Sequence, residues 1–283
     1  MVHPGQPFEG YLVETVLGHG GAAVVYRARG AGAGRPATPG TGAGRPATPG
    51  TVALKVLDDA HRDAGSTARL AREFRLTARL THPHIVRVYD HGPFWMAMQY
   101  VDGGDASSLS TLDDRLRALH QIAAALDHAH RDGIVHNDVK PTNILVHQNF
   151  SRDGAVLIDF GVAYVLAEDV WHRPSHLMAS LPYAAPELLQ GRLPQAATDE
   201  YGLACTALEL ITGRTPFTGE HPLALVDAHL HLPPPEVSRQ FPWLSRAFDM
   251  VLARAIAKDP DRRYESCTEM MRYVEDAVRR SGQ

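Results

Sequence analysis

The strongest constraint on the fold is a change of period partway along the chain. Up to about residue 101 the apolar residues come in short runs: Tyr11–Leu17, Val24–Ala28, Val52–Leu57, Ile85–Tyr89 and Trp95–Val101. Bounded by glycine and polar turns, such runs predict strands. One helix is predicted among them, from about Ser66 to Leu80. From Leu112 onward the spacing becomes helical, with Leu112, Leu116, Leu119, Ile122, Ala123, Leu126 and Ala129 recurring on one face. Short strands at Ile144–Val146 and Val156–Ile158 interrupt a mostly helical remainder. A small β-rich part followed by a larger helical part predicts an α+β fold of two lobes with a cleft between them, a usual place for a ligand.

The chain has 283 residues, enough for one large domain or two lobes. A net charge of −4 supplies no global basic field for nucleic acid or an anionic membrane. Cys205 and Cys267 have neither metal-site spacing nor a disulfide framework, so a reducing cytoplasm is the expected compartment. His82 and His84 flank Pro83, but no Cys or carboxylate cluster joins them in sequence and no metal site is read there. The N-terminus lacks the pattern of a signal peptide. The most apolar segment, Tyr201–Gly213, is too short to span a bilayer and carries Glu209, so it reads as a buried helix. Gly32–Thr41 and Gly42–Thr51 are identical decapeptides rich in Pro, Gly, Ala and Thr. Such a tract buries too little apolar surface to offset its ordering entropy and is expected to be a loop. It is either a duplicated linker or a modification or docking segment using Thr38 or Thr48, each before a proline.

Several short segments carry chemistry. Leu17-Gly18-His19-Gly20-Gly21-Ala22-Ala23-Val24-Val25 lies between two predicted strands, where glycines let backbone N–H groups approach phosphates. A strand rather than a helix follows, which excludes a dinucleotide-binding turn. Lys55 lies in the apolar strand Val52-Ala53-Leu54-Lys55 and needs a partner or an edge. Leu70, Glu73, Phe74 and Thr77 share one helix face, so the Glu73 carboxylate calls for a buried cation, and Lys55 is the best candidate. A further segment is His136-Asn137-Asp138-Val139-Lys140-Pro141-Thr142-Asn143. There Asp138 can accept a hydroxyl proton, Lys140 can neutralise phosphate charge and the Asn143 oxygen can bind Mg²⁺. Asp159 leaves a predicted strand before Phe160-Gly161, a natural second Mg²⁺ ligand.

In order and spacing these segments resemble the eukaryotic-type protein kinase signature, above all that of bacterial Hanks-type serine/threonine kinases, from Tyr11 to about Val278. The resemblance implies a bilobal kinase fold as one domain over 1–283. Its N-lobe would span about 8–100, with the duplicated loop at 31–51, and its C-lobe about 101–280. It implies ATP as phosphate donor, Mg²⁺ (with Mn²⁺ as a substitute) as cofactor, and protein substrates, with room for a homodimer. Leu17, Gly18, Gly20 and Val25 would cover the phosphates and Ala53 would touch adenine. Lys55 would hold the α/β-phosphates and pair with Glu73. Met98 would be the gatekeeper, with Gln99 to Val101 as hinge. Asp138 would be the catalytic base, Lys140 would contact the γ-phosphate, and Asn143 and Asp159 would hold the metal. Glu187 of Ala185-Pro186-Glu187 would pair with Arg263, and Asp199 would steady the catalytic loop. Lys140 and Ser180 point to serine/threonine rather than tyrosine acceptors. Such a domain is cytoplasmic, alone or as part of a longer membrane-anchored chain.

Departures from the pattern are informative. Ala23 replaces the third loop glycine, and Ala179 stands where a glycine is common. Asn137 stands where most such kinases have an arginine that pairs with a phosphorylated activation-loop residue, which a neutral amide cannot do. Residues 161–187 contain no threonine, and their only serines are Ser175 and Ser180. Trp171, His172 and Arg173 either dock that loop or lie on the surface. Two other readings share the motifs. One is a nucleotide-binding scaffold without turnover, against which stands the full set Lys55, Glu73, Asp138, Lys140, Asn143 and Asp159. The other is a small-molecule kinase, against which stand Lys140, Glu187, Asp199 and Arg263. Activity is expected not to need activation-loop phosphorylation, so Ser175→Ala should phosphorylate a generic protein substrate at the parent rate. A large loss, restored by Ser175→Asp, would overturn this.

Overall fold

The computed structural model describes residues 2–30, 50–166 and 178–280. Thr38 and Thr48, nearly all of the tandem decapeptide, and Trp171, His172, Arg173 and Ser175 lie outside the described residues. Two compact units emerge, one of Met1–Thr81 with Val86–Val101, the other of His82–Ile85 with Asp102–Gln283.

The first unit is built on a six-stranded antiparallel sheet. Its strands are β1 (Pro7–Phe8), β2 (Tyr11–His19), β3 (Ala23–Gly30), β4 (Thr51–Leu57), β5 (Val88–Gly92) and β6 (Trp95–Gln99), in the order β1-β2-β3-β4-β6-β5. Alternation decides its faces, because successive side chains point to opposite sides. Tyr11, Val13, Tyr26, Ala28, Val52, Leu54, Val56, Trp95 and Ala97 form one apolar cluster. Trp95 anchors it, edge-on to Tyr11 at 5.7 Å and to Phe8 at 6.3 Å. Helix α1 (Ala64–Arg79) starts where the Asp63 carboxylate accepts from Gly65 N and Ser66 N. Its buried face holds Leu70, Glu73, Leu76 and Thr77, while Phe74 is half-buried and packs on His91 at 4.1 Å.

The strand expected over Ile85–Tyr89 is displaced to Val88–Gly92. Ile85 and Val86 are buried outside the sheet, and Ile85 bridges Leu157 of the second unit's segment. A short apolar run does not say which core will take it. The strand from Trp95 ends at Gln99, short of Val101.

The second unit is mostly helical. Helix α2 (Leu112–Arg131) is capped by Thr111 and buries Leu116, Leu119, Ile122, Ala123, Leu126 and Ala129. Two pairings of two or three residues follow. They involve β7 (Ile134–Val135), β8 (Ile144–Val146), β9 (Ala155–Leu157) and β10 (Tyr164–Val165), with β8 pairing β9 and β7 pairing β10, while α3 (Phe150–Asp153) turns the β8–β9 hairpin. The pair β7–β10 and the strand β1 were not foreseen, since two residues carry no period. Helix α4 (Pro186–Leu189) precedes α5 (Ala196–Thr212), which is buried almost all round and ends on Gly213 at φ 76°, a left-handed cap that suits glycine. Then come α6 (Pro222–His231), α7 (Arg246–Ala255) and α8 (Cys267–Arg279). The Asp127 carboxylate of α2 accepts from Cys267 N and Thr268 N at 2.9 and 3.0 Å and so holds the start of α8.

Two buried acids of α4 and α5 are treated differently. Glu187 forms a two-pronged pair with Arg263, both contacts 2.8 Å, with Thr198 donating to the same carboxylate. Glu200 has Tyr264 N as a donor, and burial pushes its carboxyl up to about 8. The folded chain therefore keeps a proton that the unfolded chain releases in the ordinary carboxylate range. This contribution to stability is full below that range and is lost as pH rises through about 8. Glu200→Gln keeps the acceptor and removes the titration. It should melt several degrees above the parent at about pH 9 and level with it at about pH 4. An equal difference at both pH values would contradict this.

Candidate active site

In the first unit Val25, Ala53, Lys55 and Met98 share the sheet face opposite the apolar cluster. Ala53 and Lys55 are two apart on β4. Their cross-strand partners include Val25 for Lys55 and Met98 for Ala53. Ala53, Met98 and Val101 are buried, Val25 and Gln99 are half-buried, and Leu17 is exposed. Lys55 Nζ donates to both Glu73 oxygens, at 2.7 and 2.8 Å. The pair is largely shielded, the side chains being 19% and 6% exposed.

The glycine turn between β2 and β3 closes with Gly20 N donating to Ala23 O at 2.8 Å. Neither Gly18 nor Gly21 needs a positive φ, and a Cβ at either would meet nothing within 4 Å. Packing and backbone conformation therefore do not account for glycine there. Open space above a turn is what a bulky ligand would require.

In the second unit the loop after β7 is organised from beneath. The buried Asp199 accepts His136 N and Asn137 N, each at 2.7 Å, and pairs with His130 Nε2 at 2.7 Å. The wholly buried His136 ring bonds Ile158 O at 2.9 Å, accepts from Asp138 N, and lies edge-on to Phe160. Asp138 thereby leaves the loop with its carboxylate surrounded by donors. Lys140 Nζ reaches Oδ2 at 2.7 Å, Asn143 Nδ2 reaches Oδ2 at 2.9 Å, and the Ser180 hydroxyl donates to Oδ1. Lys140 also donates to Ser180 Oγ at 2.9 Å.

The β8–β9 hairpin sets Asn143 beside the start of the Asp159 turn, since Ile158 N donates to Asn143 O at 2.9 Å. Asn143 Nδ2 is committed to Asp138, which turns its amide oxygen elsewhere as an acceptor. Asp159 contributes a carboxylate from a residue at φ 64°. An amide oxygen and a carboxylate are hard donors, a set that fits Mg²⁺ or Mn²⁺. Tyr183 donates to Glu209 Oε2 at 2.6 Å, and burial first, then Glu209, holds its phenol well above the usual range.

Sequence reasoning did not assign a role to His136, to His130, or to the Tyr183–Glu209 contact. His136 lay in plain view in the Asp138 segment. The others depend on pairings across dozens of residues, for which one sequence carries no signal.

Residues 40–274 match the family described as Protein kinase domain. The glycine turn lies before that stretch. The chain is 40% identical over 278 residues to the serine/threonine-protein kinase PknJ of Mycobacterium tuberculosis, covering 94% of this chain and 45% of the relative. It is 37% identical over 290 residues to PknF of the same organism, covering 95% and 56%. It is 32% identical over 285 residues to PknH, covering 97% and 43%. The chain thus spans about half the length of the curated relatives it matches.

Removing the lysine of the Lys55–Glu73 pair should cost more than removing both charges. Lys55→Met is expected to lower the unfolding free energy by ~3 kcal/mol, and Lys55→Met with Glu73→Gln to recover most of it. Denaturant midpoints measure both, and equal midpoints for the two variants would show that the pair does not anchor α1.

Proposed function

The chain belongs to the protein kinase family, of the bacterial Hanks type, and from that premise we propose that it transfers the γ-phosphate of ATP to serine and threonine hydroxyls of proteins. The observation that carries this reading is the Ser180 hydroxyl. It donates to Asp138 and accepts from Lys140, the two contacts an acceptor hydroxyl needs at the moment of transfer. Asp138 acts as the base that orients and deprotonates the substrate hydroxyl. Lys140 offsets charge building on the transferred phosphoryl group. Ser180, in contact with both, shapes the acceptor site for serine and threonine.

In the first unit Ala53, Met98, Gln99 and Val101 take the adenine. Leu17, Gly18, Gly20 and Val25 cover the phosphates. Lys55, steered by Glu73, binds the α/β-phosphates. Asn143 and Asp159 hold a divalent ion, Mg²⁺ by the hardness of its donors, which when bound neutralises phosphate charge. Glu187, Arg263 and Asp199 serve the framework. Among the described residues no helix is long and apolar enough to cross a membrane. We assign the domain to the cytoplasm, where ATP is available.

The finer part of the proposal concerns control. Asn137 carries no charge, and its Nδ2 donates to Val162 O at 3.1 Å. That bond supports a catalytic loop held without a phosphate, and hence activity that does not wait on activation-loop phosphorylation.

Asp138→Asn keeps the shape and the acceptor oxygen but removes the base. Transfer of labelled phosphate to a generic protein substrate should fall by about 10²–10⁴-fold while binding of Mg²⁺-ATP persists. Retention of activity in this variant would defeat the assignment.

A further inference from the structure

Consecutive residues of the catalytic loop grip the turn that carries Asp159 from both of its ends. His136 Nε2 bonds the carbonyl of Ile158, one residue before Asp159, at 2.9 Å. Asn137 Nδ2 bonds the carbonyl of Val162, three residues after it, at 3.1 Å. Within the grip Asp159 sits at φ 64°, and Asn137 itself sits at φ 69°. Residues other than glycine keep such left-handed conformations only where their surroundings over-determine them. Here those surroundings are visible. Asp199 ties the N–H groups of both gripping residues, Gly161 N returns to Asp159 Oδ1 at 3.3 Å, and β10 pairs with β7 just beyond.

Asparagine suits its position on two independent counts. It tolerates the left-handed region better than other non-glycine residues. Its short carboxamide also supplies a neutral N–H to a carbonyl, so it needs no counter-ion to stay in place. A carbonyl partner also fixes which end of the amide faces it.

We propose that Asn137 is a positioning residue for Asp159: its amide bond to Val162 O holds the metal-binding carboxylate in place by a charge-free link within the fold. This rests on the kinase reading and on Asp159 as a metal ligand. It gives the finer claim about control a mechanical cause, since the link is made by the side chain itself.

Two variants separate the amide bond from the backbone conformation. Asn137→Gly permits a positive φ and removes the donor. Asn137→Asp keeps the shape and puts an acceptor against the Val162 carbonyl. The full chain, unphosphorylated, is titrated with Mn²⁺ in the presence of a non-hydrolysable ATP analogue, with free Mn²⁺ read by electron paramagnetic resonance. Phosphate transfer to a generic protein substrate and thermal melting are measured in parallel. Both variants are expected to bind Mn²⁺ about tenfold more weakly and to lose about tenfold in kcat. Protein-substrate KM and, for the glycine variant, the melting temperature should stay close to the parent. Parental Mn²⁺ affinity in Asn137→Gly overturns the proposal. So does a kcat loss matched only by loss of folded protein, which marks a merely structural role. If the parent chain binds Mn²⁺ and nucleotide yet phosphorylates nothing, the kinase reading fails instead, and the Mn²⁺ titrations still judge Asn137.

Discussion

The Asp199 carboxylate is almost completely buried on α5, and much of the second unit's chemistry rests on it. It accepts the N–H groups of His136 and Asn137 and pairs with His130 on α2, so one side chain joins two helices to the loop between β7 and β8. A buried carboxylate without donors would be costly, and here three donors meet it. Because both backbone donors belong to consecutive residues, the loop has little freedom left. Its next residue, Asp138, leaves in one direction, toward Lys140, Asn143 and Ser180.

The same economy of buried charge recurs in each unit. Lys55 and Glu73 bind sheet to helix in the first, and Glu187 and Arg263 bind α4 to the segment before α8 in the second. Such pairs contribute modest net stability, because desolvation offsets much of their attraction. Their value lies in geometry, since a two-pronged contact admits one arrangement. Glu200 shows the alternative. With the Tyr264 N–H as a donor and a carboxyl raised by burial to about 8, it stays protonated at neutral pH and acts as a polar strut.

Legibility followed length and locality. The helices α1, α2 and α5 and the strands β2, β3 and β4 were readable because their apolar residues mark one helix face, one long buried run, or short runs bounded by turn residues. Ile85 misled because its backbone bridges Leu157 within the second unit while the residues from Val88 on join the first unit's sheet. The facing of Glu73 and Lys55 was derivable from helix and strand spacing, since both residues needed a partner. Ser180 reaching Asp138 across 42 positions was not derivable from spacing, and it entered only through resemblance.

By itself, the order of residues determined the class of fold, the set of reactive side chains and the neutral amide at position 137. Each of these follows from local period or from the chemistry of short segments. The tertiary structure alone decided what those side chains touch: that Asn137 grips Val162, that His136 grips Ile158, and that Asp199 holds both from below. The physical reason is that such contacts join residues more than twenty positions apart. Their geometry is set by how strands and helices pack, and no local pattern in the chain encodes it.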